Sequence, residues 1–227
     1  MKKFVIGDIH GAYRALMQCL ERSEFDYSKD KLICLGDVSD GWTETVECFE
    51  ELLKIKNLIY IMGNHDQWLK DWLKKGEQPD VWLLQGGQNT KDNYLKHPKD
   101  IMKKHLEFLS NAAFYYKDGK RVFVHGGLHP TDKLEETKEQ FLLWDRSLFD
   151  NRHMESYMEL FSDWKEIYVG HTSVWNVSHK PIKYNNVWFM DTGGGWEGKV
   201  SMMDIDSKEI FQSEKSIELY PEVRGRY

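Results

Sequence analysis

Six short apolar runs, each closed by glycine or a polar residue, set the rhythm of this chain: FVIGD (4–8), LICLGD (32–37), LIYIMGNH (58–65), RVFVHGG (121–127), IYVGHT (167–172) and VWFMDTG (187–193). Unbroken apolar stretches of this length, rich in Val and Ile, predict strands buried on both faces. Between the first three, the apolar positions take up helical spacing. Tyr13, Leu16, Met17 and Leu20 share one face of a predicted helix, and Val46, Phe49 and Leu53 share another. The resulting β-α-β-α-β series predicts an α/β fold whose parallel sheet is joined by right-handed crossovers.

Further along, residues 100–116 predict another helix, with Ile101, His105, Phe108, Leu109 and Ala112 aligned. In the last third, VWFMDTG, KVSMMDID and EIFQSE alternate short strands with turns and predict an antiparallel portion of a second sheet. Residues 67–100 mix Trp, Gly, Asn and Lys without a period, as an insertion over the site would. With no linker, repeat or low-complexity tract, the chain reads as one domain over 1–227.

Composition narrows this picture. Hydrophobic residues make up 41% of 227, enough for a packed core. A net charge of −6 argues against general binding to nucleic acid or to an anionic membrane surface. No run approaches the roughly 18 apolar residues of a membrane span, and the three apolar residues after MKK are too few for a signal peptide, so the expected location is the cytoplasm. Cys19, Cys34 and Cys48 are odd in number and never spaced CxxC, which predicts buried free thiols.

The candidate chemistry sits where the predicted strands end. Asp8, His10, Asp37, Asn64, His65, His125 and His171 follow five separate apolar runs. In open α/β sheets ligands bind outside the carboxyl ends of the strands, where the loops converge. Hard oxygens and imidazoles without thiolate suit Mn, Fe or Zn better than Ca, and the set is large enough for two ions. A shared carboxylate such as Asp37 could hold two metals roughly 3.5–4 Å apart, the spacing used in phosphate-ester hydrolysis. Gly170, before His171, would clear room beside a ligand.

The order GDIHG, GDVSD, GNHD, HGG, GH resembles the phosphoprotein phosphatase branch of the metallophosphoesterases, in particular the small bacterial and bacteriophage serine/threonine phosphatases. The likeness runs from residue 4 to about residue 193, with WLLQGG (82–87), LLWDRS (142–147) and FMDTGG (189–194) in the same order. The resemblance implies a calcineurin-like domain with a four-layer α/β/β/α sandwich and two mixed sheets. It also implies two divalent ions, Mn²⁺ first with Fe or Zn as alternatives. Asp8 and His10 would hold one ion; Asn64, His125 and His171 would hold the other; Asp37 would bridge them. His65 would be the general acid, oriented by Asp40, while an activated hydroxide attacks phosphorus in line. Arg146 and Asn64 would contact phosphate, and Trp42 and His129 are candidates for the pocket wall.

One position departs from that pattern. The family reads GDxVDRG, its Arg clamping phosphate, whereas this chain reads GDVSDGW, with Gly41 in the arginine's place. An unreplaced loss would weaken substrate binding by about 1.5–3 kcal/mol. Arg14, Lys91 and Arg152 are candidates to compensate. The expected function is hydrolysis of a phosphorylated substrate, a phosphoprotein or small phosphoester, by a phosphomonoesterase of serine/threonine phosphatase type. The alternative is a symmetrical dinucleoside polyphosphate (diadenosine tetraphosphate) hydrolase, for which Trp42 would stack a base. A catalytically silent binding protein of the same fold is the third reading.

Overall fold

A computed structural model describes residues 1–226. The first sheet contains β1 (Lys3–Ile6), β2 (Lys31–Cys34) and β3 (Asn57–Tyr60), joined through α1 (Tyr13–Arg22) and α2 (Thr45–Leu52). These three strands pair in parallel, Val5 opposite Ile33 and Ile33 opposite Ile59. The helix α3 (Asn64–Lys75) follows β3, and 80–94 folds as α4 (Asp80–Trp82), a π-helical turn, and α5 (Gln88–Tyr94). After α6 (Lys99–Ser110) come β4 (Tyr115–Asp118), β5 (Arg121–Val124), β6 (Glu166–Val169), β7 (Ile182–Tyr184) and β8 (Val187–Phe189). These form the second sheet, ordered β4-β5-β6-β8-β7. Finally β9 (Ser201–Asp204) and β10 (Ile210–Gln212) return to the first sheet, whose order is β10-β9-β1-β2-β3.

Side-chain alternation along the strands turns these elements into layers. In β1 and β2, Phe4, Ile6, Leu32 and Cys34 face Leu16, Cys19 and Phe49 of the helical layer. Val5 and Ile33 point the other way, into an apolar layer shared with Phe123 of β5, Tyr168 of β6 and Met203 of β9. Phe123 and Tyr168 stack there with centroids 4.7 Å apart. On the second sheet's outer face, Val122, Ile167, Val187 and Phe189 pack on Leu142, Leu148 and Met158 of short helices. Period-two alternation therefore feeds three apolar layers at once and gives the α/β/β/α sandwich. All three cysteines are free and buried. Among the described residues, no helix is long and apolar enough to cross a membrane.

Two expectations need correction. The helix expected over 100–116 ends at Ser110, and Tyr115–Asp118 instead forms a hairpin with Arg121–Val124 around the two-residue turn Gly119–Lys120. Gly119, at the first turn position with φ of 63°, takes the left-handed backbone that a two-residue hairpin turn requires. The segments 199–206 and 209–214 supply β9 and β10 to the first sheet, antiparallel to β1, rather than to the second. Alternation shows that a strand exists but not which open edge it completes. VWFMDTG takes its expected antiparallel place in the second sheet, beside β7, and also pairs in parallel with β6. Residues 67–100, read as an insertion without a clear period, are mostly helical and border the 37–46 segment: Thr90 Oγ1 accepts from Asp40 N at 2.9 Å and Asn93 Oδ1 from Val46 N at 2.7 Å.

Candidate metal centre

Each candidate ligand leaves the carboxyl end of a strand, Asp8 and His10 after β1, Asp37 after β2, Asn64 after β3, His125 after β5 and His171 after β6. Both sheets thus aim polar groups at one rim. Two triads converge there, Asp8–His10–Asp37 and Asp37–His125–His171, each with ligand atoms within 4.8 Å of one another. Asp37 belongs to both. Its Oδ2 lies 3.3 Å from His125 Nε2 and 3.8 Å from His10 Nε2, while Oδ1 accepts the His65 backbone N–H at 2.9 Å. That second contact gives the first turn of α3 the cap that Gly63, without a side chain, cannot supply.

The backbone orients the imidazoles. His10 Nδ1 donates to Ser39 O at 3.0 Å and His125 Nδ1 to Leu35 O at 2.8 Å, which leaves Nε2 of both for a ligand. His171 Nε2 donates to Trp144 O at 3.2 Å, so its Nδ1 is the free nitrogen. The His171 N–H meets both Asp8 oxygens at 3.1 Å, and His125 Nε2 lies 3.0 Å from Asn64 Oδ1. Two glycines permit this crowding. A Cβ at Gly63 would lie 2.1 Å from Asp37 Oδ1, and one at Gly170 would lie 2.3 Å from Asp8 Oδ1. The bare flank beside His171 is room for the Asp8 carboxylate.

The donor set fits divalent cations. Asp8, Asp37 and Asp191 are each no more than 2% exposed, and Asp191 Oδ2 has no hydrogen-bond partner. Burial, reinforced by the neighbouring Asp191, pushes Asp8 well above the usual carboxylate range; burial likewise raises Asp191 to about 6. Burial alone would lower His125, but Asp37 and Asp8 raise it to about 9, so a proton and a cation compete for its lone pair. Burial, with Arg226 adding to it, lowers His10 to about 3; burial and His125 lower His171 to about 2. Such a concentration of buried negative charge calls for cations, and neutral imidazoles are the form that binds them.

Next to the triads, His65 Nδ1 and Asp40 Oδ2 are 2.7 Å apart, and Trp82 Nε1 donates to the same oxygen at 2.7 Å. Burial lowers His65 well below its ordinary value and raises Asp40 well above its own. The His65 ring stands edge-on to His10 at 5.0 Å. Arg146 sits at the rim, donating from Nη1 to His171 O at 3.1 Å. Trp42 borders a cleft of about 690 Å³ but is only 1% exposed, stacked on Tyr220 at 5.0 Å, with Nε1 donating to Gly194 O. No open ring face remains for a base. His129 lines a separate cavity beside Leu134 and Trp164, and its Nδ1 accepts the Asp132 N–H at 3.2 Å.

None of the three expected replacements for the family arginine reaches the rim. Arg14 lies over Tyr220, Lys91 bonds Gln78 and Arg152 lies over Phe149. Arg226 is there instead, its Nη1 donating to His10 Nε2 at 3.0 Å and its Nη2 to Gln85 Oε1 at 2.8 Å. Sequence reasoning passed over it because a lone arginine outside every motif carries no local signal. Trp82 and Asp66 stand inside the WLLQGG and GNHD motifs, which assign neither a role of its own. The Asp66 Oδ1 accepts from Val38 N and Ser39 N at 3.0 Å, fixing the loop that carries Asp37 and Asp40.

Comparison with known proteins agrees with this geometry. The sequence profile of the calcineurin-like phosphoesterases matches residues 1–199. The chain is 25% identical over 210 residues to serine/threonine-protein phosphatase 1 of Salmonella typhimurium, covering 89% of this chain and 91% of that one. It is 30% identical over 136 residues to the symmetrical bis(5'-nucleosyl)-tetraphosphatase of Coxiella burnetii, covering 59% of this chain and 44% of that enzyme. A crystal structure described as a candidate diadenosine tetraphosphatase superposes with a TM-score of 0.69 at 17% identity, covering 93% and 92% of the two chains, which shows a common fold. With donors from both sheets gathered at one rim and the family profile spanning the strands that carry them, this chain belongs to the calcineurin-like phosphoesterases.

Proposed function

We propose that this phosphoester hydrolase is a metal-dependent phosphomonoesterase acting on phosphorylated side chains, in the manner of a serine/threonine protein phosphatase. The observation carrying the reading is the pair of ligand triads joined at Asp37, beside a His65 anchored on Asp40 at 2.7 Å. Two divalent cations, Mn²⁺ first with Fe or Zn as alternatives, would supply Lewis acidity and lower the pKa of the attacking water. Asp8 and His10 would hold one, Asn64, His125 and His171 the other, and Asp37 both. Asn64 and Arg146 would contact the phosphate.

His65 would protonate the leaving oxygen. Asp40 engages Nδ1, which leaves Nε2 for the substrate. Burial keeps the ring neutral at rest, and an arriving phosphate dianion brings the negative charge that favours its protonated form. The Trp82 contact keeps the Asp40 carboxylate turned toward the ring.

A second reading, hydrolysis of a symmetrical dinucleoside tetraphosphate, is favoured by the cleft of about 690 Å³, where half-buried Trp175 and Trp196 could meet a base as the enclosed Trp42 cannot. The test is turnover of a phosphopeptide, p-nitrophenyl phosphate and diadenosine tetraphosphate with Mn²⁺, with and without chelator. Chelator-sensitive preference for the phosphopeptide supports the first reading, and preference for the dinucleotide selects the second. Failure on all three would leave a silent binding protein.

A further inference from the structure

Gly41 stands where the resemblance places a phosphate-clamping arginine, Trp42 follows it, and both border the segment 221–226. A Cβ at Gly41 would lie 3.3 Å from Arg226 Cγ, so the Arg226 side chain occupies the space where a side chain at position 41 would begin. Trp42 forms the bed beneath: a Cβ at Gly225 would come within 2.8 Å of Trp42 Cζ2. We propose that Arg226 is the phosphate-clamping cation of this site, delivered by the segment 221–226 into the slot that Gly41 leaves open. This inference rests on the phosphohydrolase reading above.

Three features support the assignment. Arg226 is positioned rather than loose: its N–H donates to Gly195 O at 2.9 Å, its guanidinium lies 4.3 Å over the Trp196 ring, and Gln85 Oε1 holds Nη2. It is aimed at the reacting region, since Nη1 lies 3.0 Å from His10 Nε2, an atom of the first triad. Its hydrogen-bond partners are uncharged, and its buried Nε has none. Against its desolvation, Asp37, Asp191, Asp40 and Asp8 favour the charged guanidinium without forming a direct ion pair with it, so its fork of donors is left for a phosphate dianion, whose oxygens match that fork. A cation held by the first triad would take His10 Nε2 as a ligand, and the guanidinium would then be available to the phosphate.

The experiment uses the full chain loaded with Mn²⁺ and measures the Kd of inorganic phosphate by calorimetry, metal content by elemental analysis, and KM and kcat for p-nitrophenyl phosphate. Arg226→Ala should weaken phosphate about 10–100-fold and raise KM, with metal content unchanged. Added guanidinium ion should restore part of the loss, a response that a purely structural role would not give. Arg226→Lys keeps the charge without the fork; it covers the case of an unfolded alanine variant and should bind phosphate at an intermediate affinity. Unchanged phosphate affinity in both variants overturns the inference while leaving wild-type turnover, and so the proposed function, intact. Tighter metal binding with faster turnover in Arg226→Ala would overturn it differently, making the segment a plug. Wild-type protein that neither binds phosphate nor turns over substrate would sink the functional reading itself, and this inference with it.

Discussion

His10, Asp37, Asp40 and His171 all hold left-handed backbone, with φ of 53°, 50°, 68° and 59°. Such conformations cost non-glycine residues about 1–3 kcal/mol each and persist where the surroundings over-determine them. Here carbonyls, carboxylates and the Asp66 side chain do so. Residue type was legible from sequence, because each donor follows an apolar run with a glycine close on one side or the other; backbone strain and the partners Asp66, Trp82 and Arg226 were not, since those contacts join distant segments. Two expected outcomes follow at this scale. His65→Asn keeps its metal content and loses roughly 10²–10⁴-fold in kcat, read from steady-state rates beside elemental analysis. Asp37→Asn lowers the metal-to-protein ratio itself, because one carboxylate oxygen faces His10 and His125 together.

Elements matter through their ends. The strands most legible in the sequence were those covered on both sides, because continuous burial leaves an unbroken apolar run. β4, β9 and β10 were misassigned or missed because a helix-length pattern ran past Ser110 and because alternation does not name a partner edge. The close approach of one strand end to another predicts the effect of a single methyl group. Gly170→Ala places a carbon 2.3 Å from Asp8 Oδ1. The loop after β6 or the carboxylate must shift, so Mn²⁺ affinity falls by about tenfold or more while far-ultraviolet circular dichroism is retained; titration calorimetry reads it.

For the molecule as a whole, the apolar layer between the sheets ends in a cluster of charge. Glu166, 4% exposed, accepts from Arg121 Nε at 2.8 Å and Tyr168 OH at 3.0 Å and pairs with Lys208. Burial alone would raise its pKa, yet the hydrogen bonds from Lys208 and Arg121 hold it down, from 4.5 to about 2. A folded-state value below the unfolded one means stability that is present above about pH 4.5 and lost as pH falls toward 2. Wild type should therefore exceed Glu166→Gln by about 2 kcal/mol in urea unfolding at pH 6, and the gap should close on acidification. The centre also straddles the sandwich, with Asp8, Asp37 and Asn64 from the first sheet and His125 and His171 from the second. A cation held there would work as a clasp between the two halves. EDTA should accordingly lower the melting temperature as well as abolish turnover, by the few degrees expected when a ligand worth about 2–3 kcal/mol is withdrawn.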